Sequence, residues 1–117
     1  MLCLGRMEVE RDILEEIRAL VRARRYRIRL HAIRHMIEEG FDERNVVEAL
    51  RNGNRLLELY LHEKRCLLLG SFTVSEKVRQ PLHVVCDYSN PTVVDIVTAY
   101  LPQKPWWTTP SKRGRLV

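Results

Sequence analysis

The sequence predicts an α+β fold, in which a helical hairpin packs on one face of an antiparallel sheet of four to five strands and an extra N-terminal helix precedes it. Two patterns support this prediction: apolar residues recur at helical spacing in the first half of the 117-residue chain and at strand spacing in the second half. The connections between the second-half strands are short and polar, which favours antiparallel neighbours.

The first helix is predicted over residues 8 to about 23. Apolar residues recur there at spacings of one, three and four, while acidic residues crowd its beginning and arginines its end. The segment RYRIRL (residues 25–30) then alternates arginine with a large side chain, which predicts a strand with one buried and one charged face. We expect residues 1–7 to be flexible.

A hairpin of two short helices is predicted next. The first helix covers His31–Glu39, and Gly40 suits its C-cap. Asp42 suits the N-cap of the second helix, which Gly53 ends.

Four strands complete the predicted domain, which extends over residues 8–107. Their predicted ranges are 55–61, 65–74, 81–88 and 93–101. The segment at 75–80 is predicted as a polar loop, and the basic tail at 108–117 as flexible.

The positive charge of the chain is concentrated in two segments. The chain carries 20 Lys and Arg against 15 Asp and Glu, a net charge of +5. Six arginines lie in RARRYRIRLHAIRH (residues 22–35), and four basic residues follow position 103 without an acidic one, which leaves 10 basic against 15 acidic residues elsewhere. This asymmetry favours a polyanion or an acidic protein as partner, although a solvated arginine face is an alternative.

Composition argues against a disulfide framework and a membrane span. Cys3, Cys66 and Cys86 are odd in number and share no spacing, so we expect a reducing cytoplasm, with Cys66 and Cys86 as small buried residues. No apolar run approaches the roughly 18 residues of a spanning helix, so no membrane partner is expected. The sequence holds no glycine-rich phosphate loop, nucleophile elbow or CxxC, and no cofactor is expected.

Metal binding is disfavoured although HAIRH places His31 and His35 four residues apart on one helix. A zinc site would need a third ligand, and nothing in the spacing brings one to this helix. Arg34, between the two histidines, also disfavours a bound cation. We therefore expect no metal.

Metal-independent cleavage of RNA suits the available side chains better. The 2′-hydroxyl of RNA can attack the adjacent phosphate if groups accept its proton, stabilise the phosphate charge and protonate the leaving oxygen. The candidate catalytic residues are His31, His83, Arg79 and Tyr100. Each also has a structural interpretation, since His31 can cap or pack a helix, His83 and Tyr100 can pack on a sheet, and Arg79 can lie in a solvated loop.

The predicted strand at 25–30 offers a row of nucleic-acid contacts. Arg25, Arg27 and Arg29 would be spaced roughly 7 Å apart on one face, close to the phosphate repeat of an extended strand. Lys77 is a further candidate contact. The alternative is an edge strand whose charge discourages aggregation.

Several motifs resemble those of a bacterial and archaeal domain family of unknown function that is related to the RelE-type toxins. The resemblance covers about residues 26–107, and its motifs are His31-Ala32, Met36, Gly40-Phe41, residues 46–53, CLLLG (66–70), PLHVVCDY (81–88) and DIVTAYLP (95–102). It implies a RelE-like fold. The chain departs from the family pattern at Glu39, where arginine is frequent, and in its extra leading helix.

The resemblance also implies a function. Many toxins of the wider superfamily cleave messenger RNA on the ribosome, some poison gyrase, and each is neutralised by an antitoxin; His31, His83 and Tyr100 match the family pattern. We therefore expect a toxin-like RNA-binding domain, and more specifically a metal-independent ribonuclease of a toxin–antitoxin pair. The alternative is a non-catalytic module whose arginine-rich face docks an acidic antitoxin-like protein or a second copy of the chain.

Overall fold

The elements of the computed structural model follow the order that the sequence predicts. The structure describes residues 2–51, 55–103, 107–109 and 112–113, with side chains at 8–51, 55–103 and 109. Its elements are α1 (Leu2–Arg22), β1 (Tyr26–Ile28), α2 (Leu30–Glu39), α3 (Glu43–Arg51), β2 (Arg55–Tyr60), β3 (Arg65–Ser75), β4 (Val78–Asp87), β5 (Val94–Tyr100), β6 (Trp107–Thr109) and β7 (Lys112–Arg113). The predicted α+β class is confirmed.

The main sheet is mixed, with strand order β1-β5-β4-β3-β2. Strands β2 to β5 are antiparallel neighbours, but β1 pairs in parallel with β5, where Tyr26 lies opposite Val94 and Ile28 opposite Ile96. The prediction of a purely antiparallel sheet is therefore wrong. Short connections determine the directions of β2 to β5, whereas β1 reaches β5 from a distant part of the chain and no short connection sets its direction.

Two boundaries differ from the predicted ones. Helix α1 begins at Leu2 instead of residue 8, because apolar spacing marks only the part of a helix that packs on a core, here Ile13 to Val21. Strand β4 begins at Val78, inside the predicted polar loop, because the β3–β4 hairpin continues with largely exposed side chains that carry no strand pattern. Strands β6 and β7 pair with each other, largely within the segment predicted as a flexible tail.

The helices cover one face of the main sheet. Leu82, Val84 and Cys86, which alternate along β4, are fully buried in the same cluster as Ile17 of α1 and Leu50 of α3. The intervening residues of β4 therefore face the opposite side of the sheet. Among the described residues, no helix is both long and apolar enough to cross a bilayer.

Two free cysteines lie side by side in this core. Cys66 on β3 is the direct partner of Cys86 on β4, and both side chains are fully buried. Burial raises the pKa of the Cys66 thiol to about 12. Both cysteines thus behave as the predicted small apolar residues.

Gly40 and Asp42 cap the helical hairpin as the sequence predicts, whereas Gly53, the predicted end of its second helix, lies outside the described residues. Gly40 adopts a left-handed conformation at φ 81°, and its N–H donates to the carbonyl of Met36 at 2.9 Å. At the start of α3, the Asp42 carboxylate accepts the N–H of Asn45 at 3.1 Å, and the Asn45 side chain accepts the N–H of Asp42 at 2.9 Å. These reciprocal bonds fix the first turn of α3.

Helix α3 touches the sheet directly at Gly70 of β3. A Cβ atom at this position would lie 2.3 Å from the carbonyl oxygen of Ala49 and 2.9 Å from its Cβ. Glycine therefore allows the helix backbone to approach the strand without an intervening side chain. This contact sets how closely α3 lies on the sheet.

Candidate functional site

A cleft rich in arginine opens between the end of α1, the start of β1 and the exposed side of α3. Its volume is about 480 Å³. Four arginines, two glutamates and three apolar or aromatic side chains line it: Arg22, Arg24, Arg44, Arg51, Glu43, Glu48, Val21, Tyr26 and Val47. We call it the arginine cleft.

Helical spacing explains the α3 wall of the cleft. Glu43, Val47 and Arg51 recur every four residues, so they lie one above another along one side of the helix. The apolar side, with Val46 and Leu50, is fully buried in the core. The cleft wall is thus the charged side of an amphipathic helix.

The two glutamates of the cleft bind residues other than the four cleft arginines. Glu43 accepts a hydrogen bond from the Tyr26 hydroxyl at 3.3 Å. Glu48 accepts the N–H and the hydroxyl of Thr73 at 2.9 and 2.8 Å, and it pairs with Arg79 at 3.5 Å. Among the described ion pairs, neither carboxylate is joined to a cleft arginine.

The cleft arginines consequently keep most of their positive charge available. In the described part of the chain, no carboxylate pairs with Arg22, Arg24 or Arg51, and Arg44 pairs only with the exposed Asp42 at 3.4 Å. Four guanidinium groups against two glutamates leave a local excess of positive charge. Guanidinium groups match phosphate geometry, so the cleft has the chemistry of an anion site.

Arg24 reaches the cleft from a left-handed backbone conformation, at φ 59°. Its N–H donates to the carbonyl of Val21 at 3.0 Å, and the N–H of Arg25 donates to Leu20 at 2.8 Å, which is the Schellman pattern of helix ends. Glycine normally occupies this position, because a side chain costs roughly 1 kcal/mol there. An arginine at a glycine position suggests a role for its side chain.

The predicted arginine row lies on the other side of β1, and two of its three members, Arg27 and Arg29, share one carboxylate. Arg27 donates to both carboxylate oxygens of Asp95, at 2.8 and 3.0 Å, and Arg29 donates to one of them at 3.2 Å. Asp95 is only 4% exposed. Burial opposes its ionisation, but the bonds from Arg27 and Arg29 outweigh burial and lower the pKa of this carboxyl group. Arg25 is exposed.

Arg79 is held in place by its neighbours. Its guanidinium group donates to the Ser71 hydroxyl, the Ser71 carbonyl and the Thr73 hydroxyl at 2.9, 3.1 and 2.9 Å. Together with Glu48, these contacts clamp the β3–β4 hairpin to α3. Lys77 lies exposed in the turn of that hairpin.

His83 and Tyr100 form a pair on the sheet face that lies opposite the helices. The Tyr100 hydroxyl lies 3.3 Å from Nδ1 of His83, and the ring centroids are 5.2 Å apart. His83 is fully buried, since its exposed fraction is 0%. A substrate phosphate has no direct access to this imidazole in the present conformation.

His31 lies on the helical side of the sheet and contacts a different histidine. Its ring centroid is 4.9 Å from that of His35, and Nδ1 of His35 is 4.0 Å from the Glu39 carboxylate. Glu39 also accepts the N–H of Leu101 at 3.2 Å. Within the described residues, no three His, Cys, Asp or Glu side chains are grouped as metal ligands.

The structure therefore divides the predicted catalytic set into three places. His83 and Tyr100 are together, Arg79 belongs to the hairpin clamp, and His31 lies across the sheet from His83. Their catalytic roles stay predictions. The four arginines of the cleft were not among the predicted site residues; the repeat of Glu43, Val47 and Arg51 and the missing glycine after α1 are the signals that could have indicated them.

The comparison with protein families gives a match to the model described as Domain of unknown function (DUF4258), over residues 28–101. The chain belongs to this family. The match confirms the domain family of unknown function that the motifs indicate, and a relation of the chain to RelE-type toxins stays a prediction. No curated protein and no solved structure matches the chain.

The DUF4258 match begins at the last residue of β1. The α3 wall of the arginine cleft lies inside the matched segment, whereas Arg22, Arg24 and Tyr26 precede it. The cleft thus forms where the extra leading helix meets the DUF4258 domain.

The first prediction concerns Arg24. Arg24→Gly should raise the free energy of unfolding by up to about 1 kcal/mol in urea titration, because glycine adopts the left-handed conformation without steric cost. Arg24→Ala removes the same charge but keeps a side chain, so it should bring no such gain. Equal stability of the two variants would contradict the proposed strain.

The second prediction concerns Asp95. Asp95→Asn should lower the free energy of unfolding at pH 7 by about 1–2 kcal/mol, because Arg27 and Arg29 lose a charged acceptor. Since folding lowers the pKa of Asp95, its contribution is complete above the unfolded value of about 3.9 and is lost as the pH falls through the folded pKa. The difference between the two proteins should therefore shrink below about pH 4.

Urea unfolding at several pH values measures this difference. The control is Asp12→Asn, which changes an exposed aspartate of α1 and should alter stability by less than about 0.5 kcal/mol. A difference for Asp95→Asn that stays constant down to about pH 3 would show that the ion pair is not its source.

Proposed function

We propose that this DUF4258 protein binds single-stranded RNA through the arginine cleft. The observation that supports this proposal most directly is the set of cleft arginines, of which Arg22, Arg24 and Arg51 have no carboxylate partner among the described residues. Phosphates of a nucleic acid backbone would supply the missing negative charges.

The shape of the site favours a single strand over a duplex. Readout of duplex DNA usually depends on a helix or ribbon that protrudes into the major groove. The arginines here line a concave cleft, which suits an extended chain of phosphates and unpaired bases. The preference for RNA over DNA rests on the resemblance to RelE-type toxins, many of which cleave messenger RNA.

The arginine row of β1 contributes less to this binding than the cleft does. Arg27 and Arg29 share the charge of Asp95, so the two side chains together offer about one free positive charge. Arg25, the third member of the row, is exposed, and it can extend the contact along β1. Lys77, in the β3–β4 turn, would contact only a longer RNA strand.

A more specific proposal is that the protein also cleaves the RNA that it binds. His31 is exposed and adjacent to His35, so one imidazole could accept a proton while the other donates one. The buried His83–Tyr100 pair would need a local opening to reach a phosphate. Binding is therefore the activity that the geometry supports best, and metal-independent cleavage is the additional expectation.

The third prediction is a change in the salt dependence of RNA binding. For a labelled single-stranded RNA, the combined change Arg22→Gln, Arg24→Gln and Arg51→Gln should weaken binding and lower the slope of log affinity against log salt by about 2, since each phosphate contact on a single strand contributes about 0.7. Fluorescence anisotropy at several salt concentrations measures both quantities.

The matched control removes three exposed arginines outside the cleft, Arg11, Arg34 and Arg55, and alters the net charge equally. An equal loss in both triple variants would assign binding to overall charge and contradict the cleft.

The same RNA incubated in EDTA, with His31→Ala and His83→Ala alongside, tests cleavage. Fragments that appear equally with all three proteins would contradict both histidine roles.

A second candidate function, docking of an acidic protein, is favoured by the outer side of α2. Leu30, Ile33 and Ile37 recur at spacings of three and four, and Ile37 is 77% exposed. Arg34, at the edge of this stripe, has no described carboxylate partner, so an amphipathic helix with acidic flanks would complement it.

The fourth prediction tests this docking. If a small acidic protein is encoded beside this gene, the two proteins should copurify after coexpression, and Ile37→Glu should abolish copurification while RNA binding is unchanged. Copurification that survives Ile37→Glu would contradict docking on α2. If no acidic partner copurifies, the second candidate is wrong.

A further inference from the structure

The arginine cleft has an aromatic and apolar side as well as a charged side. Tyr26 stands at the start of β1, partly buried against the core, and its ring lines the cleft. Val47 of α3 and Val21 of α1 complete this apolar lining. A phosphate alone would use only the arginines and would leave this surface without a partner.

Tyr26 is fixed in position by two contacts. Its hydroxyl donates to the Glu43 carboxylate at 3.3 Å, and its ring packs against the core cluster. Burial and the neighbouring Glu43 carboxylate raise the pKa of the Tyr26 hydroxyl, so it remains protonated and can keep donating at neutral pH. A preorganised aromatic ring costs little entropy when a flat ligand stacks on it.

A nucleotide combines the two chemistries that the cleft offers. Its base is flat and can stack on an aromatic ring, and its phosphate binds guanidinium groups. Bases of unpaired RNA are commonly held on aromatic side chains in this way. In a nucleotide, the base and the phosphate are a short distance apart. The aromatic ring and the arginines are likewise close together, because they line the same cleft.

We propose that the arginine cleft is a binding site for one unpaired nucleotide, with the base stacked on Tyr26 and the phosphate held by Arg22, Arg24 and Arg51. This inference deepens the proposed function, because it takes the RNA strand as the source of the nucleotide. A free mononucleotide carries the same chemistry and is the other source.

Glu43 gives the site a preference among bases. One carboxylate oxygen accepts the Tyr26 hydroxyl, and the other oxygen has no partner among the described residues. A carboxylate that borders a stacked base accepts N–H groups, and guanine presents two adjacent donors, its N1–H and its amino group, whereas uracil presents the single N3–H. The site therefore binds guanine more tightly than uracil.

The fifth prediction is measured by isothermal titration calorimetry on the full chain, with 5′-GMP, 5′-UMP and inorganic phosphate as separate ligands. We expect saturable binding of 5′-GMP that is tighter than that of 5′-UMP or phosphate. Tyr26→Leu keeps an apolar side chain but removes the aromatic face, and it should weaken 5′-GMP at least about fivefold while phosphate binding is unchanged.

Two further variants separate stacking from other effects. Tyr60→Leu removes an exposed tyrosine of β2 and should leave 5′-GMP binding unchanged. Glu43→Gln should reduce the ratio of 5′-GMP to 5′-UMP affinity. Circular dichroism of each variant establishes that a lost affinity is not lost folding.

The possible outcomes separate this inference from the proposed function. If RNA binds through the cleft arginines but 5′-GMP does not bind, or binds equally well to Tyr26→Leu, the nucleotide site is wrong and RNA binding stands. If 5′-GMP binds as expected but single-stranded RNA does not, the site stands with a free nucleotide as its ligand and the proposed function is wrong. If neither ligand binds, both proposals are wrong.

Discussion

The parallel pairing of β1 with β5 is the contact on which the rest of the arrangement depends. The N–H of Val94 donates to the carbonyl of Arg25 at 3.1 Å, and the N–H of Arg29 donates to Ile96 at 3.0 Å. These bonds hold β1 at the edge of the sheet, immediately after α1 turns at Arg24. This edge strand thereby places Tyr26 on the helical side of the sheet, beside α3. It places Arg25, Arg27 and Arg29 on the other side.

The two sides of β1 use arginine differently. On the sheet face opposite the helices, the nearly buried Asp95 accepts hydrogen bonds from Arg27 and Arg29, so these arginines mainly fasten β1 to β5. On the helical side, the glutamates of α3 hold Tyr26 and Thr73 instead of the cleft arginines. Arginines that are only a few residues apart in the chain therefore differ in their partners. Arg27 and Arg29 are bonded to Asp95, whereas Arg22 and Arg24 of the cleft have no carboxylate partner among the described residues.

The sequence was sufficient for the parts of the fold that depend on local rules. Gly40 and Asp42 capped the helical hairpin as predicted, and alternation identified the strands that pack on the core. The direction of β1 could not be predicted, because its partner is 68 residues away in the chain. The cleft was missed for a similar reason, since α1 and α3 meet only through tertiary packing. Whether His31 and His83 are close in space could not be predicted either, because the sheet that lies between them forms only in the folded chain.

The most direct test of a ligand site in the arginine cleft is an NMR titration of the isotope-labelled chain with a short single-stranded RNA. The account predicts that the largest shifts occur in the backbone amides of Tyr26 and Val47 and in the side-chain Nε–Hε signals of Arg24 and Arg51. Shifts centred on the β3–β4 turn or on Arg27, Arg29 and Asp95, with the cleft signals unchanged, would contradict it.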